Sequence, residues 1–128
     1  NVREAEELSE LSIRNPDDLA AAAHQLLTLG PAAVLVKGGH LPGESITDWL
    51  VWREGAEAFT APRFASRHIH GTGCTLASAI ATGLTQGLPL NVAVRRALTY
   101  VREAIRTAPN LGQNSGLLNH GHTAHPWN

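Results

Sequence analysis

Apolar residues recur at two different spacings along this chain, and the changes of spacing divide it into elements. Residues 2–11 are rich in Glu, Ala and Leu and predict a short helix. Asn15-Pro16-Asp17-Asp18 then predicts a sharp helix start. It combines a capping side chain, a proline where the missing N–H is harmless, and carboxylates that suit the positive end of the helix dipole. Leu19, Ala22, Ala23, Leu26 and Leu27 form one apolar stripe at helical spacing, and Gly30-Pro31 ends it. The run of residues 32–36, Ala-Ala-Val-Leu-Val, has no polar alternate and predicts a strand buried on both faces. A helix followed by a buried strand is the rhythm of a parallel α/β sheet.

Beyond Lys37-Gly38-Gly39-His40 and a loop holding Pro42 and Gly43, residues 46–52 and 57–62 predict two strands of a hairpin turning at Glu54-Gly55. A third helix is expected from Gly71-Thr72-Gly73-Cys74 through Leu76, Ala77, Ile80, Ala81 and Leu84 to Gly87. A fourth is expected over residues 91–107, with Ala93, Ala97, Val101 and Ile105 on one face. From Pro109 onward glycines, asparagines and three histidines predict an irregular tail. Residues 1–108 therefore form the folded part and residues 109–128 the tail.

Composition narrows the function. A chain of 128 residues, 43% hydrophobic and 16% charged, has enough apolar material for one core and is unlike a disordered segment. Ten basic and eleven acidic residues leave a formal charge of −1, so there is no electrostatic footprint for nucleic acid or an anionic membrane. Apolar runs such as residues 32–36 are far too short to span a bilayer. No charged-then-apolar leader is visible, and the single cysteine suits a reducing cytoplasm. A first residue of Asn rather than Met suggests that sequence precedes it.

The tetrapeptide Gly71-Thr72-Gly73-Cys74 carries the most chemistry. Two glycines allow unusual backbone angles and close approach of a ligand, and a helix N-terminus presents unpaired N–H groups to an anion. Cys74, in the first turn, would have its thiol shifted toward thiolate by the same field. A glycine-rich helix entry over a small buried cysteine fits the four residues equally well. His40 and His70 lack partners at metal-ligand spacing, and His120, His122 and His125 lie in a stretch expected to be solvated. Trp49, Trp52 and Trp127 are expected to pack rather than to stack on a ligand.

Val36-Lys37-Gly38-Gly39-His40-Leu41, a hairpin, and His70-Gly71-Thr72-Gly73-Cys74-Thr75-Leu76 occur here in that order. Ala79-Ile80-Ala81, Gly83-Leu84, Gly87-Leu88 and Ala93-Val94-Arg95-Arg96-Ala97 follow. This order resembles the C-terminal half of the hydroxymethylpyrimidine/phosphomethylpyrimidine kinases, and Asn1-Val2-Arg3-Glu4-Ala5 resembles the Asn-x-x-Glu-Ala element of ribokinase-like enzymes. The resemblance covers residues 1–107. It implies half of a three-layer α/β/α sandwich with a mainly parallel sheet and a β-hairpin. It further implies ATP and Mg2+ as cofactors, a pyrimidine alcohol as substrate, an N-terminal half that completes the domain, and a homodimer.

The same resemblance assigns roles. Gly71, Thr72 and Gly73 form an anion hole, and Cys74 stands where related sugar kinases carry an aspartate base. Lys37, Gly38, Gly39 and His70 line the nucleotide site, and Asn1 and Glu4 arrange the magnesium. Lys37 also fits a solvated strand end, and Glu4 an ordinary first-turn carboxylate. Two segments depart from the family pattern: Arg67-His68-Ile69 ahead of His70, and Leu111-Gly112-Gln113-Asn114-Ser115-Gly116 in the tail. Pyridoxal or hydroxyethylthiazole kinases, and a catalytically silent pyrimidine-binding regulatory domain, are the competing readings.

Overall fold

A computed structural model describes residues 1–64, 70–109 and 116–124. Arg67, His68, Ile69, residues 111–115, His125 and Trp127 lie outside the described residues. The chain divides into two units, residues 1–63 and residues 64–128.

The first unit holds α1 (Val2–Ser9), α2 (Pro16–Leu27), β1 (Ala33–Val36), β2 (Ser45–Trp52) and β3 (Gly55–Pro62). The start of α2 is the one the sequence predicts. Asn15 is extended, and its Oδ1 accepts the amide protons of Asp17 and Asp18, both at 2.9 Å. Leu19, Ala22, Ala23 and Leu26 are buried, and they join Val2, Ala5, Ile13, Val36 and Val51 in one core. Leu19 is fully enclosed, a burial that contributes about 2 kcal/mol.

The hairpin is in register across Arg53-Glu54, pairing Trp52 with Gly55 and Ser45 with Pro62. Trp49 packs against the core, in keeping with a packing role.

Two expectations need correcting here. The sheet order is β1-β2-β3 and both pairings are antiparallel, with Ala33 opposite Trp52 and Val36 opposite Trp49. A parallel neighbour requires a long crossover, whereas the short loop over residues 37–44 returns the chain beside β1. The α/β class stands; the strand sense differs within this chain. In addition, only Val36 of β1 is buried, and Ala33, Val34 and Leu35 are half-buried. Val34 and Val36 belong to the helix-covered face, while Leu35, by strand alternation, points to the other.

The second unit holds α3 (Thr72–Thr85) and α4 (Leu90–Arg106). The helices approach closely at Gly83, where an added Cβ would stand 2.9 Å from Ala93 Cβ. Ala93, Val94, Ala97, Leu98, Val101 and Ala104 form the buried stripe of α4.

The segment after α4 is irregular, as expected, yet it is anchored. Leu118 is buried, the Asn119 amide donates to Ala104 O (3.1 Å), and Tyr100 Oη donates to His120 O (3.0 Å). His122 is half-buried rather than fully solvated: its ring lies against Tyr100 with centroids 4.5 Å apart. No helix among the described residues is long and apolar enough to cross a membrane.

Candidate active site

In the second unit, the N-terminus of α3 is built by a glycine that no other residue replaces without strain. Gly71 is the N-cap with φ 91° and ψ 0°, a left-handed conformation that a Cβ disfavours. Space is not the constraint there, since the nearest atom to an added Cβ is Leu118 Cδ1 at 4.0 Å. Gly73 sits inside the helix, and its φ is not positive.

The Gly71 carbonyl accepts both the amide (2.9 Å) and the hydroxyl (2.8 Å) of Thr75. Gly71 offers no side chain to cap the turn. Among the described residues nothing accepts from the amides of Thr72, Gly73 and Cys74. They therefore remain a row of donors at the positive end of a helix dipole, an arrangement suited to an anion.

Cys74 is exposed, so it is not the small buried cysteine of the alternative reading. It lines a groove of about 780 Å³ between α3, α4 and the segment over residues 120–123. Thr75, Ser78, Tyr100 and His122 line the same groove, a size and mixture compatible with a small-molecule site. His70 is exposed and directly precedes the helix.

In the first unit, Asn1 and Glu4 form a capping box on α1. Asn1 Oδ1 accepts the Glu4 amide (3.2 Å), and the Asn1 main-chain nitrogen donates to Glu4 Oε2 (2.7 Å). Lys37 is half-buried just past the end of β1. Among the described residues no three His, Cys, Asp or Glu side chains converge as a metal cage. One exposed carboxylate beside an amide side chain fits magnesium that keeps most of its water, which is the usual habit of that ion.

Gly38 and Gly39 differ sharply. Gly38 is buried, its N–H donates to Asp48 Oδ1 (2.9 Å), and an added Cβ would stand 2.0 Å from Thr47 O. Gly39 is exposed with nothing within 4 Å of an added Cβ.

Sequence reasoning missed two residues that shape this loop. Asp48 carried a signal, since a lone carboxylate in an apolar strand must be buried against a donor. Arg63 carried none. Its guanidinium donates to Gly43 O (2.8 Å), Gly39 O (2.8 Å) and Leu41 O.

Comparison with known proteins adds a family. The family model described as phosphomethylpyrimidine kinase matches residues 1–119. The chain is 43% identical over 121 residues to a hydroxymethylpyrimidine/phosphomethylpyrimidine kinase of Streptomyces coelicolor, covering 94% of this chain and 45% of that protein. It is 45% identical over 120 residues to a thiamine biosynthesis bifunctional protein of Geobacter sulfurreducens, covering 94% of this chain and 24% of that protein. Among solved structures it resembles the Staphylococcus aureus pyridoxal kinase in complex with AMP-PCP. The TM-score is 0.88 at 29% identity, over 94% of this chain and 45% of that one. This likeness shows the ribokinase-like α/β fold. A Clostridium difficile phosphomethylpyrimidine kinase matches with a TM-score of 0.66 at 39% identity, over 82% of this chain and 41% of that one. The chain spans less than half the length of each of these relatives.

Proposed function

Because this chain belongs to the phosphomethylpyrimidine kinase family, we propose that it carries the phosphoryl-transfer part of an ATP-dependent enzyme. That enzyme phosphorylates hydroxymethylpyrimidine and then its monophosphate, in thiamin biosynthesis. The observation that carries the reading is the start of α3: an exposed Cys74 in a first turn whose amides face no partner among the described residues.

The chemistry follows from those groups. A phosphoryl group in transfer spreads negative charge over its equatorial oxygens, and preorganised amides of Thr72, Gly73 and Cys74 would stabilise that charge as it develops. Cys74 Sγ takes the proton of the substrate hydroxymethyl group while that oxygen bonds to phosphorus and the bond from phosphorus to the ADP oxygen breaks. Lys37 supplies a cation for the nucleotide phosphates, and exposed Gly39 and His70 line the nucleotide's approach. Asn1 and Glu4 would hold magnesium through water, and the ion would neutralise phosphate charge when bound.

Residues 1–108 are then part of one kinase domain, and residues 109–128 its irregular end. We assign the pyrimidine pocket mainly to the portion of the relatives' length that this chain does not span. The enzyme acts in the cytoplasm as a homodimer in this reading, and sedimentation of the complete protein would test its oligomeric state.

Pyridoxal kinase is the second reading, favoured by solved pyridoxal kinases whose TM-scores reach 0.87–0.88. Sequence identity points the other way: 43% with the Streptomyces coelicolor pyrimidine kinase against 29% with the Staphylococcus aureus pyridoxal kinase. Offering the complete enzyme ATP with hydroxymethylpyrimidine, its monophosphate, pyridoxal and hydroxyethylthiazole in turn, and measuring ADP, decides between them. Preference for pyridoxal by kcat/KM would replace the first reading with the second. Tight pyrimidine binding without ADP would indicate a silent regulatory domain.

A further inference from the structure

We propose that Arg63 is a positioning residue for nucleotide binding, acting by holding the loop over residues 37–44 in one shape; this rests on the kinase reading above. The loop follows β1 and contains Lys37, Gly38 and Gly39. Such a segment, rich in glycine and carrying its own polar backbone, has no intrinsic reason to adopt a single conformation. Two side chains from outside it supply that reason.

From β2, Asp48 accepts the Gly38 amide at 2.9 Å in a buried setting. From the end of β3, the Arg63 guanidinium donates to the carbonyls of Gly39, Leu41 and Gly43, and the Arg63 amide donates to Glu44 O at 2.8 Å. One planar fork therefore gathers three carbonyls drawn from five consecutive residues.

The consequence for a ligand lies in peptide geometry. In a trans peptide the C=O and the following N–H point in opposite directions. Turning the carbonyls of Gly39 and Gly43 toward the guanidinium therefore turns the amides of His40 and Glu44 away from it. Three of the loop's carbonyls are thus satisfied on the guanidinium, and the amides of His40 and Glu44 are left to face an anionic ligand. Lysine cannot reproduce this, because one ammonium lacks the fixed fork that spans separated carbonyls.

The test uses Arg63→Lys, Arg63→Gln and Arg63→Ala in the complete enzyme. Losing hydrogen bonds to a charged donor should raise KM for ATP about tenfold in Arg63→Lys, with a larger rise in Arg63→Gln. Both kcat and KM for hydroxymethylpyrimidine should stay within about twofold. Added guanidinium ion should restore part of the ATP affinity of Arg63→Ala. Hydrogen exchange at the bonded Gly38 and Leu41 amides should accelerate in each variant.

A KM for ATP unchanged in all three variants would overturn the proposal. So would a loss of kcat that follows thermal stability with no separation from KM. If the wild type phosphorylates none of the alcohols, the kinase reading fails on its own, and calorimetry with AMP-PCP still decides about Arg63. Binding weakened about tenfold by Arg63→Lys supports the clasp, and unchanged binding removes it.

Discussion

Two glycine-rich segments in this chain look alike on paper and are built on opposite logic. The loop at residues 37–44 consumes its own backbone polarity: Asp48 accepts the Gly38 amide, and Arg63 gathers three carbonyls. The segment at residues 70–74 leaves its polarity open, with the amides after Gly71 facing no partner among the described residues. In the first, Gly38 is required because β2 leaves no room for a side chain. In the second, Gly71 is required by its φ of 91°, although room exists. A glycine motif therefore says little until one knows whether packing, backbone angle or a ligand demands it, and each demand predicts a different phenotype.

The largest effect should come from Gly73→Val in the complete enzyme. Gly73 has helical geometry without a positive φ, and valine is at least as good a helix former as glycine, so the backbone itself does not resist the change. A branched side chain beside the open amides should instead block the phosphoryl group. Removing one donor of this kind costs on the order of 10²–10³ in rate, and a steric block should cost more. Retention of more than a tenth of wild-type turnover would mean that the amides do not bind the transferring group.

Cys74→Ala comes next. The side chain is exposed, so its truncation should leave the fold intact. A lost general base should slow the chemical step by about 10²–10⁴, or about 2.7–5.4 kcal/mol of barrier. Single-turnover rates against pH provide the check. A rate within about threefold of wild type and an unaltered pH profile would assign the whole effect to positioning, which dominates many phosphoryl transfers.

Gly38→Ala should reverse the pattern, harming the fold before the chemistry. A Cβ placed 2.0 Å from Thr47 O meets backbone in a paired strand, which cannot swing aside as a side chain can. A destabilisation of about 3 kcal/mol or more is expected, the upper end for overpacking. Denaturant unfolding would measure it, and a change below about 1 kcal/mol would show that β2 and the loop separate easily.

The same contrast explains what could be read from sequence. Local rules were legible because their causes are local. Asn15 caps α2 through residues two and three positions on, and the hairpin was legible to within one residue, its turn falling at Arg53-Glu54 where Glu54-Gly55 was expected. The sense of the sheet was not legible, since apolar residues in β1 demand a buried neighbour without specifying its direction. Asn1 and Glu4 show a second limit, because the pair expected to arrange magnesium forms a capping box, and the sequence pattern suits either. Arg63 marks the third. Its partners lie 20 to 24 residues earlier in sequence, and only the register of β2 with β3 brings them within reach.

The smallest structural effect should be at Gly39, and for that reason it sharpens the comparison most. An added Cβ there meets nothing within 4 Å, and the backbone angle is not left-handed. Neither of the two structural demands seen at Gly38 and Gly71 applies, so Gly39→Ala should stay within about 0.5 kcal/mol of wild type in stability. Its exposed position beside Lys37 leaves a ligand as the remaining reason for a bare backbone. If nucleotide phosphates approach that backbone closely, the methyl group should raise KM for ATP several-fold while kcat holds. Because the Arg63 bond uses the Gly39 carbonyl and not its Cα, the clasp should survive, and exchange at the bonded Leu41 amide should not change. A variant with wild-type KM for ATP would show that the nucleotide does not approach Gly39, and would confine the anion-binding role to the start of α3. A stability loss comparable to that of Gly38→Ala would show that the open space around Gly39 is filled in the complete protein.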